Sequence, residues 1–197
     1  MNGPETTMPI TAVHAATGAE EARLVQAALD GDGGAFARLV RPHLGVLYRV
    51  AVRAARNSTL GEDAVQETLE IAYKGLGRYT PGTNLRAFLA GIAVRRAHTL
   101  MRGEIRRRGR EEASVAPEAP DDTAEIVAAS EQAASVAAAL DRLPKKRRSA
   151  AILRLDAGMS YREIATALGS TEGSARVLVH LALKELRRVL DAEGRTT

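Results

Sequence analysis

Aromatic side chains are almost missing from this chain. It holds four Tyr, two Phe and no Trp in 197 residues, 3% of the total. β-Sandwiches and barrels rely on aromatic and β-branched residues to fill a pleated surface, so the composition argues against such folds. Ala, Leu and Arg dominate instead, and all three are strong helix formers. The expected fold class is all-α. Cysteine is absent, which removes disulfides, thiolate metal sites and cysteine nucleophiles together. No run approaches about 18 uninterrupted apolar residues, so no membrane insertion is expected. The stretch 1–17 lacks the basic start and apolar core of a signal peptide. It reads as a disordered arm, and the protein reads as cytoplasmic.

The formal net charge of +4 conceals an alternation. Between Arg95 and Arg110 lie seven arginines and one acid, Glu104. From Glu111 to Glu131 there are seven acids and no base. From Asp141 to Leu190 eleven bases face five acids. The acidic block also carries Pro117 and Pro120 among Ala and Ser, the composition of a linker. The expected organisation is two small basic helical domains, 18–110 and 135–192, joined by an acidic flexible linker over 111–134. Two basic blocks around an acidic tether suit a nucleic-acid partner about as well as they suit plain solvated faces.

In the first module a helix is expected over 19–29, stopped by the run Asp30-Gly31-Asp32-Gly33-Gly34. A second follows, with Phe36, Leu39, Val40, Leu44, Leu47, Tyr48 and Ala51 on one face. Pro42 should kink or restart it. A third starts with Ser58 or Thr59 as cap and Glu62 and Asp63 in the first turn. Val65, Leu69, Ala72, Tyr73 and Leu76 are its expected buried stripe, leaving Asp63, Gln66, Glu67 and Glu70 mainly on other faces. A turn at Pro81-Gly82 leads to a helix with Leu85, Phe88, Leu89, Ile92 and Ala93 inward. Arg86, Arg95, Arg96 and Arg102 lie on or near its other side. Such a surface can neutralise phosphates, and an aromatic can stack on an unpaired base. Core packing is the simpler role for Phe88.

The second module is more sharply written. Leu143-Pro144 opens a helix that Gly158 ends. Ser160-Tyr161-Arg162-Glu163 is a capping box, and Gly169 is a left-handed stop. After Ser170-Thr171 a long helix runs over 172–190. Short helix, glycine, tight turn, long helix is the helix-turn-helix layout. Ala175, Val179, Ala182 and Leu186 should pack inward. Ser174, Arg176, Val177 and His180 should face outward, with Lys184, Arg187 and Arg188 extending the basic flank. A plain helical hairpin fits the same pattern less completely.

These residues together resemble the extracytoplasmic-function (group IV) sigma factors of the sigma-70 family, over nearly the whole span from Ala22 to Leu190. Three stretches carry the resemblance. Glu62-Asp63-Ala64-Val65-Gln66-Glu67-Thr68-Leu69 is similar to the family's helix that docks on the β′ subunit of RNA polymerase. Phe88-Leu89-Ala90-Gly91-Ile92-Ala93-Val94-Arg95-Arg96 is similar to the helix that reads and melts the −10 element. The stretch from Leu143 through Gly158-Met159-Ser160-Tyr161-Arg162-Glu163-Ile164-Ala165 to Gly173-Ser174-Ala175-Arg176 and His180 resembles the domain that reads the −35 element.

The resemblance implies roles. Asp63, Gln66, Glu67 and Glu70 would bind core polymerase. Arg78, Thr83, Asn84, Phe88, Arg95, Arg96 and Arg102 would bind and melt −10 DNA, the loop from Arg78 to Asn84 holding a flipped base. Arg162, Thr171, Ser174, Arg176, Val177, His180 and Lys184 would bind −35 DNA. The partners implied are the polymerase core (β and β′ subunits), promoter DNA and an anti-sigma factor, with the free chain a monomer. Three positions depart from the family pattern. Phe88 stands where Trp is usual, Arg95 where Asn is common, and Leu178 and Leu181 where Arg is frequent. Each missing Arg should remove about one phosphate contact.

Two other functions remain open at this point. A helix-turn-helix regulator would bind duplex alone, as a dimer on two half-sites, but has no need of the first module. A sigma-like adaptor would titrate an anti-sigma factor without initiating. An enzyme is disfavoured: there is no phosphate-binding glycine loop with Lys, no HExxH and no G-x-S-x-G. No cofactor or metal is expected. His14, His43, His98 and His180 are scattered, and His98 and His180 read as DNA-facing or solvated.

Overall fold

The computed structural model describes residues 10–112 and 131–193. All regular structure among them is helical. Helix α1 (Ile10–Leu29) is followed by α2 (Gly33–Val40), a 3-10 turn (Arg41–His43), α3 (Leu44–Ala55) and α4 (Ser58–Lys74). A second 3-10 turn (Leu76–Arg78) leads to the long α5 (Leu85–Glu112). Then come α6 (Glu131–Arg142), α7 (Lys145–Leu155), α8 (Tyr161–Leu168) and α9 (Glu172–Glu193). The proposed linker meets helix at both ends, because α5 runs to Glu112 and α6 starts at Glu131. Its middle, 113–130, lies outside the described residues. So does 1–9 of the expected arm, whereas the backbone from Ile10 is already helical.

Local chemistry explains most boundaries. Pro42 restarts the chain as expected: it sits in the 3-10 turn between α2 and α3. Asp32 caps α2 by accepting from the Ala35 amide at 3.0 Å, so Gly33 and Gly34 begin a helix rather than end one. Asn57, not Ser58 or Thr59, caps α4, accepting from Leu60 N–H at 2.8 Å. This moves the helix start forward, and Glu62 and Asp63 fall beyond its first turn. Pro144 stands one place before α7, as its N-cap. The capping box of Ser160 and Glu163 and the left-handed cap at Gly169 are both present.

The bundle centre is built from small residues as much as large ones. On α4 the fully buried positions are Gly61, Ala64, Thr68 and Ala72. Val65 and Leu69 are half-buried, and Tyr73 is 40% exposed. The expected stripe is therefore rotated toward the small side chains. The reason is close approach of α3: a Cβ on Gly61 would stand 2.7 Å from the Val52 Cα. Thr68 satisfies its buried hydroxyl by donating to Ala64 O at 2.6 Å.

The two modules pack together. Ile152, Leu153, Met159 and Ile164 belong to the same buried apolar cluster as Leu47, Leu76 and Leu89. A second cluster joins α6, α7 and α9 through Leu140, Leu143, Ala151 and Leu186. Polar ties reinforce the seam. Arg53 forks onto Asp156 at 2.6 and 2.8 Å, and Arg56 pairs with Asp141 at 3.1 Å. The His98 Nε2 lies 3.2 Å from Ser149 Oγ, whose own proton goes to Lys145 O at 2.9 Å. His98 is half-buried at this seam, not DNA-facing or solvated. Burial, and then the charges of Lys145, Arg148 and Arg102, push its pKa down to about 4, so the ring is neutral at pH 7.

Candidate nucleic-acid interface

Helix α9 separates its faces cleanly. Ala175, Val179 and Ala182 have no exposure and Leu186 has 5%. Ser174, Arg176, Val177, His180 and Lys184 are all exposed. Thr171 caps the helix, its Oγ1 accepting from the Ser174 amide at 3.2 Å. Arg162 is exposed on the first turn of α8. The outward face of α9 is where the sequence put it, although the Thr171 hydroxyl is engaged in the cap. Leu178 and Leu181 are half-buried, and Leu178 packs against the core. An arginine there would have to leave that contact, so the departure at Leu178 is a packing choice.

The first module's loop is tied down by a residue that sequence reading missed. Glu21 on α1 accepts from Tyr79 Oη at 2.6 Å and from the Gly82 amide at 3.0 Å. Tyr79 Oη also reaches Thr83 O at 3.1 Å. Burial, then the bond to Glu21, raises the phenol's pKa. Gly82 has φ +82, the left-handed region that glycine tolerates. Thr83 donates to Thr80 O at 2.7 Å, and the Asn84 side chain accepts from Ala87 N–H at 3.1 Å at the head of α5. Phe88 is half-buried and not solitary, since its ring centroid is 5.4 Å from that of Tyr79.

The expected −10 set is only partly gathered. Arg78, Thr83, Asn84, Phe88 and Arg95 line one cleft of about 320 Å³. Across it stand Arg162 and Thr166 of α8, so residues assigned to two DNA elements share a single cleft. Arg95 donates from Nη1 to Ala167 O at 3.1 Å, a carbonyl that the end of α8 leaves without a helical partner. Gly91 permits the approach, because a Cβ there would stand 3.2 Å from the Ala167 Cβ. Arg96 turns away to an ion pair with Glu67 of α4. That pair joins a residue expected on DNA to one expected on polymerase. Arg102 is exposed farther along α5. On α4, Asp63, Gln66 and Glu70 are exposed while Glu67 is half-buried. Among the described residues no group of three or more His, Asp or Glu is placed to hold a metal ion. No helix among them is long and apolar enough to cross a membrane.

The capped α8, the left-handed glycine and the two-faced α9 define a helix-turn-helix protein carrying a second helical module. Comparison with known proteins sharpens that class. Residues 39–111 match the family described as Sigma-70 region 2, and residues 133–186 match Sigma-70, region 4. The RNA polymerase sigma factor CarQ of Myxococcus xanthus is 31% identical over 82% of this chain and 92% of its own length. The ECF RNA polymerase sigma factor SigD of Mycobacterium tuberculosis is 33% identical over 87% and 84%. SigE of Mycolicibacterium smegmatis is 34% identical over 77% of this chain, which spans 60% of that relative. Among solved structures, CnrH in complex with the cytosolic domain of CnrY superposes with a TM-score of 0.64 at 27% identity, covering 88% of this chain and 98% of that one. The sigma factor RpoE in complex with the anti-sigma factor NepR, from Bartonella quintana, gives 0.61 at 26% identity, covering 79% and 96%. The chain belongs to the extracytoplasmic-function sigma factors of the sigma-70 family.

Proposed function

We propose that this sigma factor binds core RNA polymerase in the cytoplasm and directs it to promoters by two DNA contacts, catalysing nothing itself. The observation that carries the reading is α9: five exposed residues, Ser174, Arg176, Val177, His180 and Lys184, over a fully buried stripe. Together with Arg162 they offer donors and an apolar contact to a major groove and its phosphates. This surface reads the −35 duplex. The exposed α4 residues Asp63, Gln66 and Glu70 bind the β′ subunit, while Glu67 acts through its pair with Arg96.

Phe88, Thr83, Asn84, Arg78 and Arg95 form the −10 surface, and Arg102 adds a phosphate contact. Because α8 covers that surface here, the modules must separate before single-stranded DNA can lie along α5. The two solved relatives bound to CnrY and NepR support an anti-sigma partner for this chain as well.

The test is transcription reconstituted with core polymerase. Promoter-specific transcripts are expected with the wild-type chain and core together, and none with either alone. Phe88→Ala should lose open complexes on duplex promoters and recover on templates already melted. Specific duplex binding by the chain alone, with no effect of core, would instead identify a conventional helix-turn-helix regulator.

A further inference from the structure

One carboxylate oxygen of α1 holds two parts of the loop that precedes α5. Glu21 Oε1 accepts from Tyr79 Oη at 2.6 Å and from the Gly82 amide at 3.0 Å. The phenol carries a single proton, and the shorter contact takes it, leaving Thr83 O at 3.1 Å as the second choice. Tyr79 is 6% exposed, and its ring centroid lies 5.4 Å from that of Phe88. Glu21 itself is half-buried in the wall of a cleft of about 930 Å³. Arg38 lines the same cleft but pairs with Asp32 at 3.6 Å, so the carboxylate serves the loop.

Hydrogen bonds to an ionised acceptor are short and roughly twice as strong as neutral ones. Here they act on the tip of a turn. Gly82 has φ +82, a conformation that a side chain would strain, and Thr83 Oγ1 donates only within the loop, to Thr80 O at 2.7 Å. Without the carboxylate, the Tyr79 proton turns to Thr83 O and the exposed Gly82 amide turns to water. Both changes move the segment 79–84 relative to Phe88. Glu21 lies ahead of 39–111, the residues that match Sigma-70 region 2, and it reaches the loop across 58 and 61 positions.

We propose that Glu21 is a positioning residue for the −10 surface: it sets the loop and, through Tyr79, the seat of Phe88, and so governs how sharply the loop selects its base. The proposal rests on the reading of the 78–84 loop and Phe88 as the −10 surface. It adds to that surface a residue of α1 that acts through the loop rather than on the DNA.

Selection from a randomised promoter library tests it. The full chain and core polymerase are assembled, challenged with templates randomised across the −10 and −35 elements, and the templates held in stable open complexes are sequenced. Glu21→Ala should lower enrichment of the favoured base at the −10 position that the loop holds by roughly tenfold, the worth of one hydrogen bond to a charged group, while enrichment across the −35 element stays. Glu21→Gln keeps an acceptor and should recover most of the enrichment. Tyr79→Phe keeps the ring against Phe88, loses one of the two ties and should fall between Glu21→Ala and wild type. Glu20→Ala, at an exposed neighbour on α1, is the control. Unaltered −10 enrichment in Glu21→Ala overturns the proposal even if fewer complexes form, because a lower yield alone is what a less stable first module gives. An equal loss across both elements overturns it too. If Glu21→Ala loses helicity by circular dichroism, Tyr79→Phe decides, and −10 enrichment equal to wild type then overturns the proposal. A wild-type holoenzyme with no −10 preference would bring down the reading of the loop itself. A wild-type preference that Glu21→Ala leaves intact brings down only the present proposal.

Discussion

At the scale of single residues, the positions that matter most for packing carry the least side chain. Gly61 lets α3 and α4 touch backbone to side chain: a Cβ would stand 2.5 Å from Val52 Cγ2 and 2.9 Å from the Val52 nitrogen. Backbone cannot rotate out of the way as a side-chain tip can. Gly61→Ala should therefore destabilise the chain by about 1–3 kcal/mol, the usual range for overpacking, despite alanine's better helix propensity. A urea midpoint equal to or above wild type would refute it. His98 gives a second prediction. Its pKa near 4 lies below the ordinary 6.5, so the unfolded chain binds the proton first as pH falls. The associated stability is complete above pH 6.5 and is lost progressively down to about pH 4. His98→Gln should flatten that part of the Tm–pH curve, leaving the carboxylate contribution common to both proteins. Parallel curves for wild type and variant would exclude His98 as the source. Neither residue stands out in the sequence: a lone glycine and a lone histidine in helical segments signal little until a neighbour is known.

At the scale of elements, legibility follows the range of the interaction. The capping box, the Gly169 stop and the inward stripe of α9 were readable because each lies within one or two helical turns. In the glycine run at 30–34 two signals overlap: Asp30 and Gly31 stop α1 as expected, while Asp32 already caps α2 and Gly33 and Gly34 lie inside it. The buried face of α4 was misplaced because side-chain size, not hydrophobicity, decides a close helix crossing. Partners such as Glu21 with Tyr79, 58 residues apart, or Arg53 with Asp156, 103 apart, leave no local trace. The α8 cap also yields a measurable expectation. Ser160 accepts from Glu163 N–H at 3.3 Å, and the Glu163 carboxylate accepts from Ser160 N–H at 2.6 Å. Ser160→Ala should cost about 1 kcal/mol, read as a lower urea midpoint. A midpoint within error of wild type would mean that water replaces the cap without loss.

At the scale of the whole molecule, the three charge blocks and the shared core pull in different directions. The residues proposed for single-stranded DNA open onto a cleft of about 320 Å³ and face α8. The recognition surface of α9 stays open to solvent. The free chain should therefore bind duplex weakly through α9 and hardly engage single strands. Two of the ties that hold the modules closed can be removed by single substitutions. One is the forked Arg53–Asp156 pair, with side chains 23% and 9% exposed. The other is the glycine-to-alanine contact at Gly91 and Ala167. Asp156→Ala strips a partly buried arginine of its acid, a loss of roughly 1–2 kcal/mol after allowing for solvent on the arginine side. Gly91→Leu drives a side chain into the Ala167 backbone. Combined, they should separate the modules while leaving each one's helices formed. The absence of cysteine makes the measurement direct, because Lys74→Cys and Lys184→Cys accept dyes at two exposed sites on different modules. Energy transfer between them should fall in the double variant, and affinity for a single-stranded oligonucleotide should rise together with it. Unchanged transfer would show that the rest of the seam, its apolar cluster and its remaining polar ties, keeps the modules together. Lower transfer without tighter single-strand binding would show that covering by α8 is not what limits access to Phe88 and Arg95.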